Sequence, residues 1–324
     1  LGLAHHVARG HPAEVPRAVR LSDWSSWMAT CRMNAMPVGV VSNCFKSQID
    51  AGQPLADLIG QASQRGFGVI ELRQGCLGDC ESPGELVPDP DRLQDLAAAC
   101  PGVQWDLALA YPCFDPSTVG DDTVFESACE SIVRLASGDT PHLRLVDLTT
   151  DHTRVDPVEA AATVGRLLER VCEVGGMLSI EHARESWQWF SDVMARARGA
   201  SDTHHQSLKV CFDPCNLLGA PDRPDPAEVT GSLDPDLVSM IHIKQRRDGQ
   251  PWPAVAEGEV DWAEVISAMG RMGGGQGFDG PLLFEVAASR DIWGFLEGSR
   301  VYLGRLGLET GLETGRNEET GAGT

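Results

Sequence analysis

The amino-acid sequence predicts an α/β protein folded as a single-domain (β/α)8 TIM barrel. Between residues 37 and 306, short apolar runs rich in β-branched residues alternate with longer segments of helical periodicity, eight times in the same order. Alternation of this kind is typical of parallel strands connected by helices. Eight such units favour a closed barrel over an open doubly wound sheet, which usually has fewer strands.

The eight predicted strands are the apolar runs at 38–45, 69–72, 103–111, 142–148, 177–182, 208–214, 239–245 and 281–286. The helical patterns that follow them lie at 54–67, 91–100, 123–136, 158–175, 187–200, 227–238, 261–272 and 291–306. The first strand is followed by Asn43-Cys44-Phe45 instead of a Gly-x-Gly-x-x-Gly motif, and the Gly-rich stretch 273–277 precedes a strand. Neither segment therefore has the glycine loop and helix N-terminus that bind the phosphates of a dinucleotide.

The two ends of the chain differ from this middle. We expect 1–36 to be an N-terminal extension that is either disordered or foreign to the native protein. It has neither the strand–helix alternation nor the apolar core of a signal peptide. We expect 307–324, which is rich in Gly, Thr and Glu, to be a disordered tail because it has little apolar surface to bury.

Composition argues against two classes of partner. The chain has 26 Lys and Arg residues against 47 Asp and Glu, a net charge of −21. Such a charge repels nucleic-acid phosphates and anionic lipids, and no apolar run approaches the about 20 residues that span a bilayer. The 10 cysteines are scattered without a Cys-x-x-Cys pair, which indicates free thiols in a reducing compartment. We therefore expect a cytoplasmic protein that binds neither nucleic acid nor membrane.

Polar residues interrupt or end four consecutive predicted strands, the fifth to the eighth. They are Glu181, Asp213, His242 and Glu285. Catalytic groups of a barrel come from the C-terminal strand ends and the loops after them. Three carboxylates buried together require a balancing cation. Three oxygen ligands and one imidazole suit Mn²⁺, Mg²⁺ or Co²⁺ better than Zn²⁺, which more often has further His or Cys ligands.

Each of these residues taken alone also has a structural explanation. Asp213 precedes Pro214 and could cap a helix, His242 could be a hydrogen-bonded core histidine, and either glutamate could pair with an arginine. The coincidence of four matched strand ends in one acidic barrel favours the metal site.

Several segments of the chain resemble one known superfamily. Residues 241–269, IHIKQRRDGQPWPAVAEGEVDWAEVISAM, contain a His-x-Lys segment, a Gly-x-Gly-like element (here Glu257-Gly258-Glu259) and Val-Asp-Trp at the start of a helix. FDGPLLFEV (278–286), SIEH (179–182) and CFDPCNL (211–217) have the same likeness. By these segments, 37–306 is similar to the xylose isomerase-like TIM barrel superfamily of sugar and sugar-phosphate isomerases and epimerases. The resemblance implies that Glu181, Asp213, His242 and Glu285 are metal ligands.

The sequence departs from many of these proteins at the fifth and sixth strands. Glu181-His182-Ala183 replaces Glu-Asn-His, and 213–216 reads Asp-Pro-Cys-Asn in place of Asp-x-x-His, which is similar to the pentulose-phosphate 3-epimerase branch. The endonuclease IV branch needs further histidines on the second and third strands, which here end Glu71-Leu72-Arg73 and Ala110-Tyr111-Pro112. Together with the negative charge, this argues against that branch.

The resemblance implies an isomerase or epimerase of a sugar, keto-sugar or sugar phosphate that uses one divalent ion. Mn²⁺ is the first candidate, and Mg²⁺, Co²⁺ and Zn²⁺ are the others. The ion would stabilise an enediolate while Glu181 and Glu285 exchange a proton with opposite faces of the α-carbon. Loss of a β-leaving group from the same enediolate would instead make a lyase or dehydratase of a keto-sugar or keto-inositol. A non-catalytic barrel that binds a sugar or a partner is the alternative of another class, and the complete ligand set argues against it.

Further residues are weaker candidates for binding the substrate. They are Asn216, Lys244, Arg73, His182 and Arg246. Each also has an ordinary role: an amide can cap a helix, a lysine can pair with a neighbouring ligand such as Asp213, and most arginines are surface residues. A homo-oligomer is left open, because relatives of this kind are often dimers or tetramers.

Overall fold

A computed structural model describes residues 36–136, 138–200 and 203–308. The expectations for the extension 1–36 and the tail 307–324 lie outside these ranges, except at their inner ends. No helix in the described ranges is long and apolar enough to cross a membrane. The nine cysteines that the structure describes are all free, as their scattered spacing predicts.

Eight parallel strands close into a barrel, as predicted. They are β1 (Val38–Val41), β2 (Val69–Arg73), β3 (Gln104–Ala110), β4 (His142–Val146), β5 (Met177–Glu181), β6 (Leu208–Phe212), β7 (Val238–Ile243) and, after a short hairpin, β10 (Leu282–Phe284). Strand β10 closes the ring by pairing in parallel with both β7 and β1. Because all eight strands run in one direction, their C-terminal ends meet at one mouth of the barrel.

The helices lie after the strands, as the periodicity predicts. They are α1 (Lys46–Asp50), α2 (Leu55–Gln64), α3 (Pro90–Ala99), α4 (Thr123–Leu135), α5 (Pro157–Glu173), α6 (Trp187–Gly199), α7 (Pro214–Leu217), α8 (Pro226–Ser232), α9 (Trp262–Met269), α10 (Met272–Gly275) and α11 (Ile292–Arg305). Aspartates begin many of them. The carboxylates of Asp89, Asp156 and Asp225 accept backbone N–H groups of the first turn, and each is followed by a proline whose missing N–H costs nothing there.

The chain after β7 contains a feature that the sequence did not predict. An antiparallel hairpin of β8 (Gln245–Arg247) and β9 (Gln250–Trp252) lies between β7 and β10. Gln245, which the apolar pattern assigns to the seventh strand, starts this hairpin, and its buried amide donates to the carbonyls of Val255 and Val260. A Cβ on Gly258 would lie 2.2 Å from Gln245 Cδ, so the close approach of this side chain requires glycine there.

The barrel interior has an apolar cluster and a polar chain. The cluster consists of Val41, Val69, Cys211, Met240 and Leu283. In the polar chain, His142 lies 2.6 Å from both Asp106 Oδ1 and Ser179 Oγ, and Ser179 Oγ lies 2.7 Å from Ser239 Oγ. Ser239 is the extra residue of a bulge in β7, where the register advances from Val238 to Met240 against consecutive residues of β6. These contacts pair both ring nitrogens of His142 and the hydroxyls of Ser179 and Ser239, as burial requires.

Gly39 in β1 lies where the backbone of β2 passes closely. A Cβ at this position would lie 2.4 Å from Val69 O and 2.8 Å from Val69 Cβ. Gly39→Ala should therefore push the two strands apart and lower the free energy of unfolding by about 1–3 kcal/mol in urea denaturation. The control is Gly60→Ala in α2, where the added Cβ meets no other described atom within 4 Å and alanine favours the helix. An unchanged stability of Gly39→Ala would contradict this packing.

Candidate metal centre

The four polar strand ends converge at the mouth of the barrel. Glu181 ends β5, Asp213 follows β6, His242 lies in β7, and Glu285 follows β10. One donor atom of each lies within 4.8 Å of the donor atoms of the other three. All four residues are buried, with exposed fractions between 0% and 3%. Three oxygens and one imidazole nitrogen at this spacing form a donor set that suits a divalent cation.

Two of these donor atoms have no aligned hydrogen bond among the described residues. Asp213 Oδ1 accepts the backbone N–H of Cys215 at 2.8 Å, whereas Oδ2 lies 3.2 Å from Lys244 Nζ without hydrogen-bond alignment. His242 Nδ1 likewise lies 3.2 Å from Glu285 Oε2 and 3.6 Å from Glu181 Oε1 without alignment. Buried polar atoms rarely stay unpaired, and these two face the same centre, so the residues present fit a divalent ion.

A buried ion network that the sequence analysis missed lies below Glu181. Arg144 on β4 donates from Nη1 to Glu181 Oε2 at 2.6 Å. It also donates to both oxygens of Glu71 on β2, at 2.5 Å and 3.2 Å. Arg144 and Glu71 are both 0% exposed. The sequence contained a signal for both residues. Each is a charged residue inside the apolar run of a strand that is buried on both faces of its sheet, where a charge needs a partner.

Glu285 has a different set of neighbours. Its Oε1 accepts from Arg73 Nη1 at 2.8 Å and from Asn43 Nδ2 at 3.0 Å. Its Oε2 accepts from Lys244 Nζ at 3.1 Å. The side chains of Arg73 and Lys244 are 27% and 21% exposed, so this part of the site faces solvent at the mouth. The structure thus brings two of the weaker substrate-binding candidates into contact with a candidate metal ligand.

The other three candidates for substrate binding lie in different surroundings. Asn216 joins the site, because its amide donates to Glu181 Oε1 at 3.0 Å. His182 points away from the barrel axis: its buried ring packs against Trp187 and Phe190 on α6, and Nε2 lies 2.8 Å from the Glu185 carbonyl. Arg246 lies on the hairpin and pairs with Glu259 at 3.2 Å.

Neighbouring cations decide the ionisation of the two glutamates. Burial by itself raises the pKa of a carboxyl group. At Glu285 the charges of Lys244 and His242 outweigh burial and hold the pKa well below its usual range. At Glu181 the Arg144 guanidinium likewise outweighs burial and lowers the pKa. Both glutamates are therefore ionised at neutral pH and available as ligands.

The other two candidate ligands keep their protons to a higher pH than usual. Burial raises the pKa of Asp213 and, together with the negative charges of Glu181 and Glu285, outweighs the attraction of Lys244. Burial lowers the pKa of His242, but Cys211 and Glu71 beside the ring outweigh it and raise the pKa well above its usual range. An ion that takes these two residues as ligands therefore competes with protons up to a higher pH than is usual for either residue.

Comparisons with known proteins address the fold. No family model and no curated protein matched the sequence. The IolI protein, in a structure with a bound zinc atom, matches with a TM-score of 0.61 and 14% identity over 84% of this chain and 98% of that one. A xylose isomerase domain containing protein from Salmonella typhimurium matches with a TM-score of 0.59 and 14% identity over 86% of this chain and 99% of that one.

This chain has the xylose isomerase-like TIM barrel fold. L-ribulose 3-epimerase has the same fold, with a TM-score of 0.56 and 16% identity over 84% and 94%. The predicted superfamily resemblance is thus confirmed at the level of the fold.

The candidate metal site predicts that a divalent ion stabilises the fold. At a free Mn²⁺ concentration of 100 times Kd, the free energy of unfolding of the wild type should rise by about 2.7 kcal/mol. Asp213→Asn should abolish this increase, because asparagine can still accept the Cys215 N–H but replaces Oδ2 with an amide. Asp225→Asn is the control, since Asp225 also caps a helix before proline but lies on the outer layer. Thermal unfolding with and without Mn²⁺ measures the effect, and a wild type that Mn²⁺ does not stabilise would contradict the site.

The raised pKa values predict that Mn²⁺ binding depends on pH. Since His242 and Asp213 hold protons to higher pH than usual, protonation competes with the ion at low pH. The association constant should rise with pH through the range in which these two residues lose their protons, by up to about tenfold per unit for each proton released. Calorimetry in two buffers of different ionisation enthalpy counts these protons. Binding that releases none would show that the ion does not displace protons from these residues.

Proposed function

We propose that this protein is a divalent-metal-dependent isomerase or epimerase of a sugar, keto-sugar or sugar phosphate. The observation that carries the proposal is the convergence of Glu181, Asp213, His242 and Glu285 within 4.8 Å at the mouth of the barrel. Among the fold neighbours, L-ribulose 3-epimerase supports the carbohydrate class, and the IolI structure with a bound zinc atom supports a metal site. Three oxygen donors make Mn²⁺ our first choice, with Mg²⁺, Co²⁺ and Zn²⁺ as the other ions to assay.

The ion would be held by Asp213 Oδ2, His242 Nδ1 and one oxygen of each glutamate. When bound, it polarises a carbonyl group and makes the neighbouring C–H more acidic. The charges of the chain suit this chemistry. Four buried carboxylates, Glu71, Glu181, Asp213 and Glu285, lie beside three permanent cations, Arg144, Lys244 and Arg73. With a divalent ion bound and His242 neutral, the set has one net positive charge, which stabilises negative charge on a deprotonated substrate.

Glu285 is the better placed of the two glutamates to move a proton. Its partners Arg73 and Lys244 are partly exposed and can turn towards a substrate. Glu181 is held on one oxygen by the fully buried Arg144 and on the other by Asn216. Glu285 would take the proton from the carbon beside the carbonyl, and Glu181 would serve the opposite face where epimerisation requires a second group.

This asymmetry also favours a second candidate function. If only Glu285 moves protons, the reaction is confined to one face of the substrate. Return of the proton to the adjacent carbon gives an isomerase, and loss of a β-leaving group gives a lyase or dehydratase of a keto-sugar or keto-inositol. Lys244 Nζ, 3.1 Å from Glu285 Oε2, is the cationic group placed to assist such a departure. Arg73, Lys244 and Asn216 are the residues that we propose to contact the substrate.

The proposed activity is tested by exchange of substrate protons with solvent deuterium, followed by NMR. Ketoses, keto-inositols and pentulose phosphates are incubated with the Mn²⁺-loaded protein. We expect exchange at a single α-carbon, and Glu285→Gln should slow it by at least about 100-fold, the usual contribution of a general base. Glu264→Gln, on the exposed face of α9, is the control and should exchange like the wild type.

The product distinguishes the candidate reactions. Inversion at the exchanging carbon identifies an epimerase, a carbonyl moved to the neighbouring carbon identifies an isomerase, and loss of water or another group identifies a lyase. Tight Mn²⁺ binding without exchange on any substrate would contradict the enzymatic proposal and favour the non-catalytic barrel that binds a sugar or a partner.

A further inference from the structure

Two of the candidate ligands share a buried network of charges that no substrate can reach. Arg144 connects Glu71 to Glu181 through the hydrogen bonds described above. The same Glu71 lies on the far side of His242, with Oε2 3.5 Å from Nε2. Glu71, Arg144 and His242 are 0% exposed, so the network lies inside the barrel and below the mouth.

We propose that Glu71 and Arg144 are positioning residues of the metal centre. Glu71 keeps a proton on Nε2 of His242, so that the lone pair of Nδ1 faces the ion. Arg144 holds Oε2 of Glu181, so that Oε1 faces the ion. This inference rests on the proposed divalent-ion site and adds to it the two residues that orient the ligands.

The surroundings of the imidazole carry the first half of the proposal. Nδ1 faces the carboxylates of Glu285 and Glu181, at 3.2 Å and 3.6 Å. Nε2 faces Glu71 and Cys211. A metal ligand must offer a lone pair, and the second ring nitrogen of such a histidine is commonly fixed as an N–H by a carboxylate. Glu71 is the carboxylate in that position, and Arg144 fixes its two oxygens.

Cys211 offers a competing arrangement, which the relative strengths of the donors and acceptors disfavour. Its Sγ lies 3.4 Å from Nε2, and a thiol could donate there and move the ring proton to Nδ1. That tautomer would leave the ionised Glu71 facing a lone pair on Nε2 and would point an N–H at the centre of the ligands. A thiol is a weak donor, whereas a carboxylate accepts strongly from an N–H, so Glu71 decides the tautomer.

The contacts of Glu181 carry the second half. A carboxylate on a strand can rotate about its terminal bond and present either oxygen. Here the 2.6 Å bond from Arg144 Nη1 fixes Oε2, and the 3.0 Å bond from Asn216 orients Oε1 towards His242. Burying an arginine between two glutamates gives little net stability compared with apolar residues of the same volume. Orientation of the ligands explains why charges lie at these two barrel positions.

The first experiment measures Mn²⁺ affinity by calorimetry without any substrate. Glu71→Gln keeps an acceptor oxygen for Arg144 but turns an amide N–H towards Nε2, so we expect Kd to rise by about 10- to 100-fold. Arg144→Lys keeps the charge but loses the forked geometry, and we expect a rise in the same direction. The matched control is Asp106→Asn. Asp106 is a buried barrel carboxylate that pairs in register with Glu71 but contacts His142. An affinity unchanged by Glu71→Gln, or equally weakened by Asp106→Asn, would overturn the proposal.

A second readout needs neither metal nor activity. At a pH high enough for the His242 ring to be neutral, ¹⁵N NMR of the metal-free wild type should show the one remaining ring proton on Nε2. Glu71→Gln should move that proton to Nδ1, whereas Cys211→Ala should leave it on Nε2. An unprotonated Nε2 in the wild type, or a ring proton that stays on Nε2 in Glu71→Gln, would refute the positioning role. These measurements use no substrate. The positioning role can therefore be tested even if the deuterium-exchange experiment fails.

Discussion

The barrel mouth must balance several carboxylates that are buried side by side. Glu71, Glu181, Asp213 and Glu285 are all at most 3% exposed. Isolated burial of even one such charge costs several kcal/mol, so the site exists only because cations lie against it. Arg144, Lys244 and Arg73 come from three different strands or strand ends, which couples the electrostatics of the site to closure of the barrel. The closed barrel and the proposed chemistry therefore both depend on the pairing of these buried carboxylates with cations.

The two histidines of the interior show how a structural polar group differs from a candidate ligand. His142 uses both ring nitrogens in contacts of 2.6 Å, to Asp106 and Ser179. His242 has partners on Nε2, while its Nδ1 faces carboxylate oxygens without an aligned hydrogen bond from the described residues. Both are buried strand histidines, so burial does not separate them. The Nδ1 atom without an aligned hydrogen bond does, and it lies where the candidate ligands meet.

Much of the fold could be predicted because its signals are local. Each apolar run and each helical period is contained within a short segment. Each of the eight predicted strands, and each helical pattern after them, overlaps an element of the structure. The hairpin that starts at Gln245 was missed, and the side-chain amide of this residue bonds carbonyls 10 and 15 residues away, which a local pattern does not contain. The candidate ligands were found because a barrel brings consecutive strand ends together, so that their order along the chain is enough.

The network behind the ligands depends on contacts that local pattern does not contain. Glu71 and Arg144 are 73 residues apart, and Arg144 and Glu181 are 37 apart. The sequence by itself determined the strand–helix order, the polar residue at each late strand end and the overall negative charge. Only the tertiary structure decided which interior side chains meet across the ring, which oxygen of each glutamate is held, and which nitrogen of His242 faces the centre. The physical reason is that barrel closure and strand register set these distances, and both are properties of the whole sheet.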